Sequence, residues 1–234
     1  EALNGRAGTV AVYNYKTGEI VCLTSSPSYD PIDEDEVAAV AAGDSAYTGA
    51  YINRFLSSTY TPGSTFKIIT AAAALENLDT DSFSYHCSGA LDIGGDQVTC
   101  PSVHGDLDFD SALAHSCNGA FASLALELGG ETLEQYAREA GLLDSMEISG
   151  YTTASGRFDV APEGSLDLGW SGVGQYNDLV SPASMLTLMG CIARDGSAAT
   201  PRLLSKVTSG SGLPAAIISQ PTSSIGWEKS TCES

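Results

Sequence analysis

Pro62-Gly63-Ser64-Thr65-Phe66-Lys67 runs directly into Ile68 to Glu76, an Ala-rich stretch that reads only as helix. This constrains both fold and chemistry, because residues three apart share a helix face and Ser64 Oγ can then meet the Lys67 ammonium. Ser64 is expected in the first helical turn, where unpaired backbone N–H groups and the positive dipole end favour developing negative charge. A serine hydroxyl needs a base to become a nucleophile. Lysine serves only if its pKa falls towards neutrality, which desolvation among Phe66, Ile68 and Ile69 would promote. Taken alone, Ser-x-x-Lys also fits an ordinary helix start with a snorkelling lysine.

Ser116-Cys117-Asn118 is the second element. Residues two apart in an extended or turn conformation project the same way, so Ser116 and Asn118 face one cleft while Cys117 points oppositely. The hydroxyl can relay a proton, and the amide can hold a substrate carbonyl or the lysine. The bland alternative is that Ser116 or Asn118 caps the helix beginning near Ala120. The two readings are compatible.

Ser-x-x-Lys followed by Ser-x-Asn resembles the penicillin-binding proteins and serine β-lactamases. The flanking text is more specific. Gly8 to Val12, Lys16-Thr17-Gly18-Glu19-Ile20 and Ser25 to Pro31 look like the opening of a class B transpeptidase domain. Asn53-Arg54, Tyr60 to Lys67, His104-Gly105, Gly172-Val173-Gly174-Gln175 and Leu179-Val180-Ser181-Pro182 continue the match in order, so it spans about residues 8 to 207. The third motif of the family, Lys-Thr-Gly or Lys-Ser-Gly on a cleft strand, is missing. The nearest text is Lys229-Ser230-Thr231, where Thr replaces the glycine that lets a strand approach its ligand. The expectation is that the chain stops before that motif and that Lys229 is an ordinary polar residue.

The balance of ten Lys+Arg against 29 Asp+Glu argues against nucleic acid, which needs clustered basic residues, and against docking on anionic lipid. No stretch has the length and apolarity of a membrane span, and Glu1-Ala2-Leu3-Asn4 has neither the basic start nor the apolar core of a signal peptide. Since members of the resembled family are usually membrane-anchored ahead of a pedestal domain, an excised catalytic domain is expected over residues 1–234. The six cysteines are dispersed without a Cys-x-x-Cys pair. His86-Cys87 and Cys100 with His104 are the only metal-like cluster, flanking a hairpin turn at Gly94-Gly95-Asp96. Free thiols are the default reading there, a Cys87–Cys100 disulfide ranks next if the domain is exported, and a zinc site ranks last. Cys22 and Cys191 read as small core residues.

Elsewhere the patterning predicts a hairpin over Thr9 to Tyr15 and Glu19 to Ser25, and a short helix from the acidic run Asp33 to Glu36 towards Gly43. It also predicts helices over Phe109 to Ala114, Gly119 to Leu128, Thr132 to Ala140 and from Ser181-Pro182 to about Arg194. Tyr151 to Gly169 reads as loop, Arg202 to Val207 as a strand, and Ser209 to Ser211 and Thr222 to Ser224 as flexible. One hairpin is marginal as a sheet, and a bare edge invites pairing, which points to further strands outside this chain.

The fold class expected is α+β, a largely helical lobe packed on an antiparallel sheet. The resemblance implies a peptidoglycan D,D-transpeptidase at the extracytoplasmic face of a bacterial membrane. Ser64 attacks the penultimate D-Ala carbonyl of a stem peptide, Lys67 takes its proton, Ser116 shuttles a proton to the leaving group, and Asn118 binds the substrate amide and orients Lys67. The Ser64 backbone N–H supplies one oxyanion-hole donor. β-Lactams acylate the same serine, cell-wall synthesis proteins are partners of the parent protein, and no metal or organic cofactor is required. The competing readings are a non-catalytic β-lactam-sensing or wall-binding module, which the missing third motif favours, and a serine β-lactamase, for which no deacylating carboxylate motif stands out.

Overall fold

The structure, a computed structural model, describes residues 3–216 and 221–233, so Glu1 and Ala2 of the N-terminal tetrapeptide lie outside it. Helices and short antiparallel strand pairs make it α+β. Two compact units divide the chain, residues 1–59, 145–155 and 181–223 in the first and 60–144, 156–180 and 224–234 in the second.

In the first unit the predicted hairpin forms from Gly8–Tyr13 and Ile20–Ser26, with Ala11 opposite Leu23. Period-two alternation turns Ala11 and Leu23 onto a core of Phe55, Leu56, Ile148 and Ala183, while Val12 and Val21 are exposed. Asn14 closes the turn by accepting from the Lys16 and Thr17 amides. The acidic run begins the Glu34–Ala41 helix, whose N-cap Asp33 accepts from the amides of Asp35 and Glu36. Ser181 caps the Pro182–Ile192 helix in the same way through the Ser184 amide, and proline fills its first position. Arg202 to Val207 is not a strand. Arg202 makes a single parallel bridge to Glu19, and Val207–Thr208 pairs with Pro214–Ala216. Thr222–Ser224, expected to be flexible, is a strand against Ser197–Ala199.

The second unit is mostly helical and carries all four candidate site residues. Its core joins Ala71 and Ala74 of the Lys67–Asn77 helix to Ala120, Phe121 and Leu124 of the Asn118–Leu128 helix, with Val98 and Val173. Alanines on both helices bring side chain and backbone close, and the larger Phe121 and Leu124 fill what remains. The predicted hairpin is Ala90–Ile93 paired with Asp96–Thr99. Gly94 and Gly95 both have positive φ, as a two-residue hairpin turn requires. A second pair, Tyr85–Cys87 with Gly105–Leu107, sets Cys87 opposite Gly105. Helices span Phe109–Ala114 and Gly130–Glu139 as read from the sequence, the latter starting two residues earlier. Leu166–Ser171 is a helix inside the stretch read as loop, capped by Ser165 at the Leu168 amide. Lys229 lies on the Lys229–Glu233 helix and pairs with Glu233 at 3.2 Å, so the nearest text to the third motif is not on a strand. Among the described residues no helix is long and apolar enough to cross a membrane.

Candidate active site

Ser64 precedes the long helix instead of opening it. It lies in a 3₁₀ turn, Gly63–Phe66, that leads into Lys67–Asn77. The tighter turn still brings Ser64 Oγ to 3.4 Å from Lys67 Nζ, and Ser64 is exposed where a substrate could reach it. The turn is braced from behind. The Gly63 amide donates to the Gly174 carbonyl at 2.9 Å, Thr70 Oγ1 donates to the Gly172 carbonyl at 2.8 Å, and Phe66 stacks on Phe158.

The second element is built by a helix end. The Phe109–Ala114 helix finishes with the Ser116 amide on the Leu113 carbonyl and the Cys117 amide on the Ala112 carbonyl, a Schellman closure. That closure puts Ser116 in the left-handed region at φ 51, a position where glycine is usual. The strain turns both the Ser116 carbonyl and its Oγ onto Lys67 Nζ, at 2.6 and 2.9 Å. Asn118 adds its Oδ1 at 2.7 Å, and its Nδ2 donates to the Thr99 carbonyl at 2.8 Å, which fixes the amide's orientation. Neither Ser116 nor Asn118 caps the following helix. Its N-cap is Cys117, which makes no side-chain cap bond and points into the core as expected from the alternation.

Lys67 is therefore a buried lysine, 1% exposed, held by three oxygens with the Ser64 hydroxyl as a fourth neighbour and the Phe121 ring 5.8 Å away. Burial lowers its pKa to about 8, against the opposing pull of the Cys100 and Cys117 thiols. An ammonium has three donors, which the three oxygens consume. The neutral amine has two donors and a lone pair. A small rotation of the Ser116 hydroxyl then leaves that lone pair to the Ser64 proton.

All four residues proposed from the sequence thus meet in one place. No sequence signal points to Thr99, whose contribution is a backbone carbonyl, or to Phe158, 92 positions from Phe66. Cys87 and Cys100 are both thiols, the default reading, and the alternative of a disulfide between them does not form.

Residues 8–230 match the family model described as penicillin binding protein transpeptidase domain. The chain is 31% identical over 211 residues to the peptidoglycan D,D-transpeptidase PbpA of Mycobacterium tuberculosis, a match covering 84% of this chain and 43% of the relative. It is 39% identical over 143 residues to the stage V sporulation protein D of Bacillus subtilis, covering 57% of this chain and 20% of that protein. Among solved structures, the penicillin G acyl-enzyme complex of penicillin-binding protein A from M. tuberculosis superposes with a TM-score of 0.84 at 25% identity, covering 97% of this chain and 55% of that one.

Proposed function

Given that this chain belongs to the penicillin-binding protein transpeptidase family, we propose that it carries the serine acyl-transfer centre of a peptidoglycan D,D-transpeptidase. The observation that carries the reading is Lys67, buried and lowered to about 8, with its Nζ 3.4 Å from an exposed serine hydroxyl. A base with a pKa near the working pH is deprotonated often enough to act and basic enough to pull.

In the first half-reaction Lys67 accepts the Ser64 proton as Oγ attacks the penultimate D-Ala carbonyl of a stem peptide. The tetrahedral oxyanion faces the Ser64 amide. Its collapse breaks the peptide C–N bond, and the departing D-Ala amine takes a proton delivered from Lys67 through the Ser116 hydroxyl. In the second half-reaction the amine of a neighbouring stem peptide attacks the ester, returns its proton along the same route and frees Ser64. Asn118 holds Lys67 and the substrate amide. A β-lactam presents its strained amide to the same oxygen, and the ring-opened product remains as the ester. The mycobacterial relative has been captured as a penicillin G acyl-enzyme.

The relative PbpA is named a peptidoglycan D,D-transpeptidase, and the hydrolase and non-catalytic readings are not favoured. The chain spans less than half of PbpA's length, so the cell-wall partners and an extracytoplasmic location of the parent protein belong to this proposal. So does a strand bearing the third motif.

Intact-mass spectrometry after incubation with benzylpenicillin tests the assignment. A single adduct of the antibiotic's mass is expected, absent from Ser64→Ala. An unmodified wild-type chain, or an adduct that persists in Ser64→Ala, would overturn it.

A further inference from the structure

The core beneath Ser116-Cys117-Asn118 contains more chemistry than acyl transfer uses. Four chain segments end at one point: Cys87 closes the Tyr85–Cys87 strand, Cys100 follows Asp96–Thr99, His104 precedes Gly105–Leu107, and Cys117 is the N-cap of the Asn118–Leu128 helix. Their donor atoms, three Sγ and one imidazole nitrogen, all lie within 4.8 Å of one another. The strand register produces part of this convergence, since Cys87 pairs with Gly105 and so stands beside His104. The Cys100 amide donates to the Gly89 carbonyl at 2.9 Å and brings its thiol back to the same point.

We propose that Cys87, Cys100, His104 and Cys117 form a closed structural site for a soft divalent cation, zinc by its chemistry. The spacing fits. Zinc bonds sulfur at about 2.3 Å and imidazole nitrogen at about 2.0–2.1 Å, so a tetrahedron needs sulfur–sulfur edges of about 3.8 Å and sulfur–nitrogen edges of about 3.6 Å. Cys100 and Cys117 sulfurs are 3.7 Å apart, and Cys87 Sγ is 3.4 Å from His104 Nδ1. Three thiolates and one imidazole select zinc-like cations over magnesium or calcium, which prefer oxygen.

The surroundings suit ligation. His104 Nε2 lies 3.1 Å from Ser102 Oγ, an oxygen able to accept the outer N–H of the tautomer whose Nδ1 lone pair faces the sulfurs, the arrangement usual for a ligating histidine. The Gly119 amide, in the first turn of its helix, donates to Cys100 Sγ at 3.3 Å, an outer hydrogen bond that orients the sulfur. Burial of small apolar thiols explains Cys87 and Cys117, both fully buried. It does not explain an imidazole nitrogen aimed into a group of sulfurs. His86, the nearer histidine in sequence to Cys87, is excluded because its Nδ1 pairs with Asp106.

Four protein donors leave no open position, so the ion is structural. It would tie Cys117, inside the Ser116–Asn118 turn, to Cys100, whose neighbour Thr99 holds Asn118. The site is separate from the acyl-transfer reading, and its test reads metal, so either can fail alone.

The whole chain, purified with a phosphine reductant and stripped by chelation, is titrated with Co²⁺ and then Zn²⁺. One equivalent of Co²⁺ with an intense thiolate-to-cobalt charge-transfer band is expected, displaced stoichiometrically by Zn²⁺. Cys100→Ser and His104→Ala should each weaken binding at least tenfold, and His86→Ala should leave it unchanged. His104 is only partly buried, so its variant keeps the test alive if Cys100→Ser does not fold. The proposal is overturned if the reduced wild type shows no charge-transfer band. A band that survives both ligand substitutions, or one lost in His86→Ala, overturns it equally. So does a Cys100–Cys117 disulfide in the reduced, metal-loaded sample, detected as a loss of two hydrogens.

Discussion

Lys67 and Asp178 are equally buried, each 1% exposed and in the same unit, but their surroundings differ. Lys67 Nζ has three oxygens within 2.9 Å and the Ser64 hydroxyl at 3.4 Å. Asp178 has one partner, Ser171 Oγ at 3.2 Å on Oδ1, and its Oδ2 has none among the described residues. Burial pushes both towards neutrality. The lysine falls to about 8, and the carboxyl rises to about 7, with Asp159 adding repulsion to the desolvation. Desolvation alone makes a group titrate near neutral pH. What turns the titration into chemistry is that the hydroxyl beside Lys67 is exposed to a substrate, whereas Ser171, the hydroxyl beside Asp178, is fully buried.

The sharpest break is kinetic. Lys67→Met should slow benzylpenicillin acylation by about 10³-fold or more, within the range for losing a positioned base. Asp178→Asn should leave the rate within about threefold, since its oxygens contact only Ser171 among the site's supports. Stopped-flow or mass-resolved acylation measures both. An equal loss in Asp178→Asn would end the distinction.

Stability against pH sharpens the comparison, because the two groups act with opposite sign. Asp178 has a folded pKa of about 7 above its ordinary 3.8, so the folded chain holds the extra proton between those values. Its contribution is fully present below pH 4 and is lost as pH rises through 7. Lys67 has a folded pKa of about 8 below its ordinary 10.5. There the unfolded chain holds the extra proton, so the lysine's destabilisation is full below 8 and disappears as pH climbs to 10.5. Each window can slope by at most about 1.4 kcal/mol per pH unit. The difference in urea midpoint between wild type and Asp178→Asn should therefore fall from pH 4 to 7, and the difference between wild type and Lys67→Met should rise from pH 8 to 10.5.

These two residues were not equally legible. Spacing alone set Ser64 against Lys67, and alternation set Ser116 and Asn118 on one side with Cys117 on the other. Nothing in Tyr176-Asn177-Asp178 signals a buried carboxyl, because that burial comes from tertiary packing. The Leu166–Ser171 helix was hidden by Gly169 and by its short length, which leaves too few turns for a period to show. The thiol cluster was half visible. Cys87, Cys100 and His104 stood out, while Cys117 was already absorbed by the Ser-x-Asn reading, and His86 looked equivalent to His104 until strand register turned it towards Asp106. The Schellman closure at Ser116 was hidden because a serine occupies the usual glycine position. Its variant separates function from stability. Ser116→Gly should relieve the left-handed strain and leave thermal stability unchanged or slightly higher, while acylation slows about 10²-fold for want of the hydroxyl.

The smallest expected effect lies in the segment that both buried groups share. Ser171 bonds Asp178, the Gly172 carbonyl accepts from Thr70, and the Gly174 carbonyl accepts from the Gly63 amide beside the nucleophile. Gly174 has φ +75, and a Cβ there would meet the Gly63 carbonyl and sit 2.6 Å from Phe66 Cβ. Gly174→Ala combines a left-handed penalty with overpacking, for a loss of about 2 kcal/mol. It touches neither buried charge, so both pH windows should persist on a uniformly lowered curve. Acylation should nevertheless slow, because the added methyl pushes on the turn that carries Ser64. If stability fell while acylation kept its full rate, the Gly172–Gly174 segment would be a packing element only. The position of the nucleophile would then rest on the contacts of Lys67 alone.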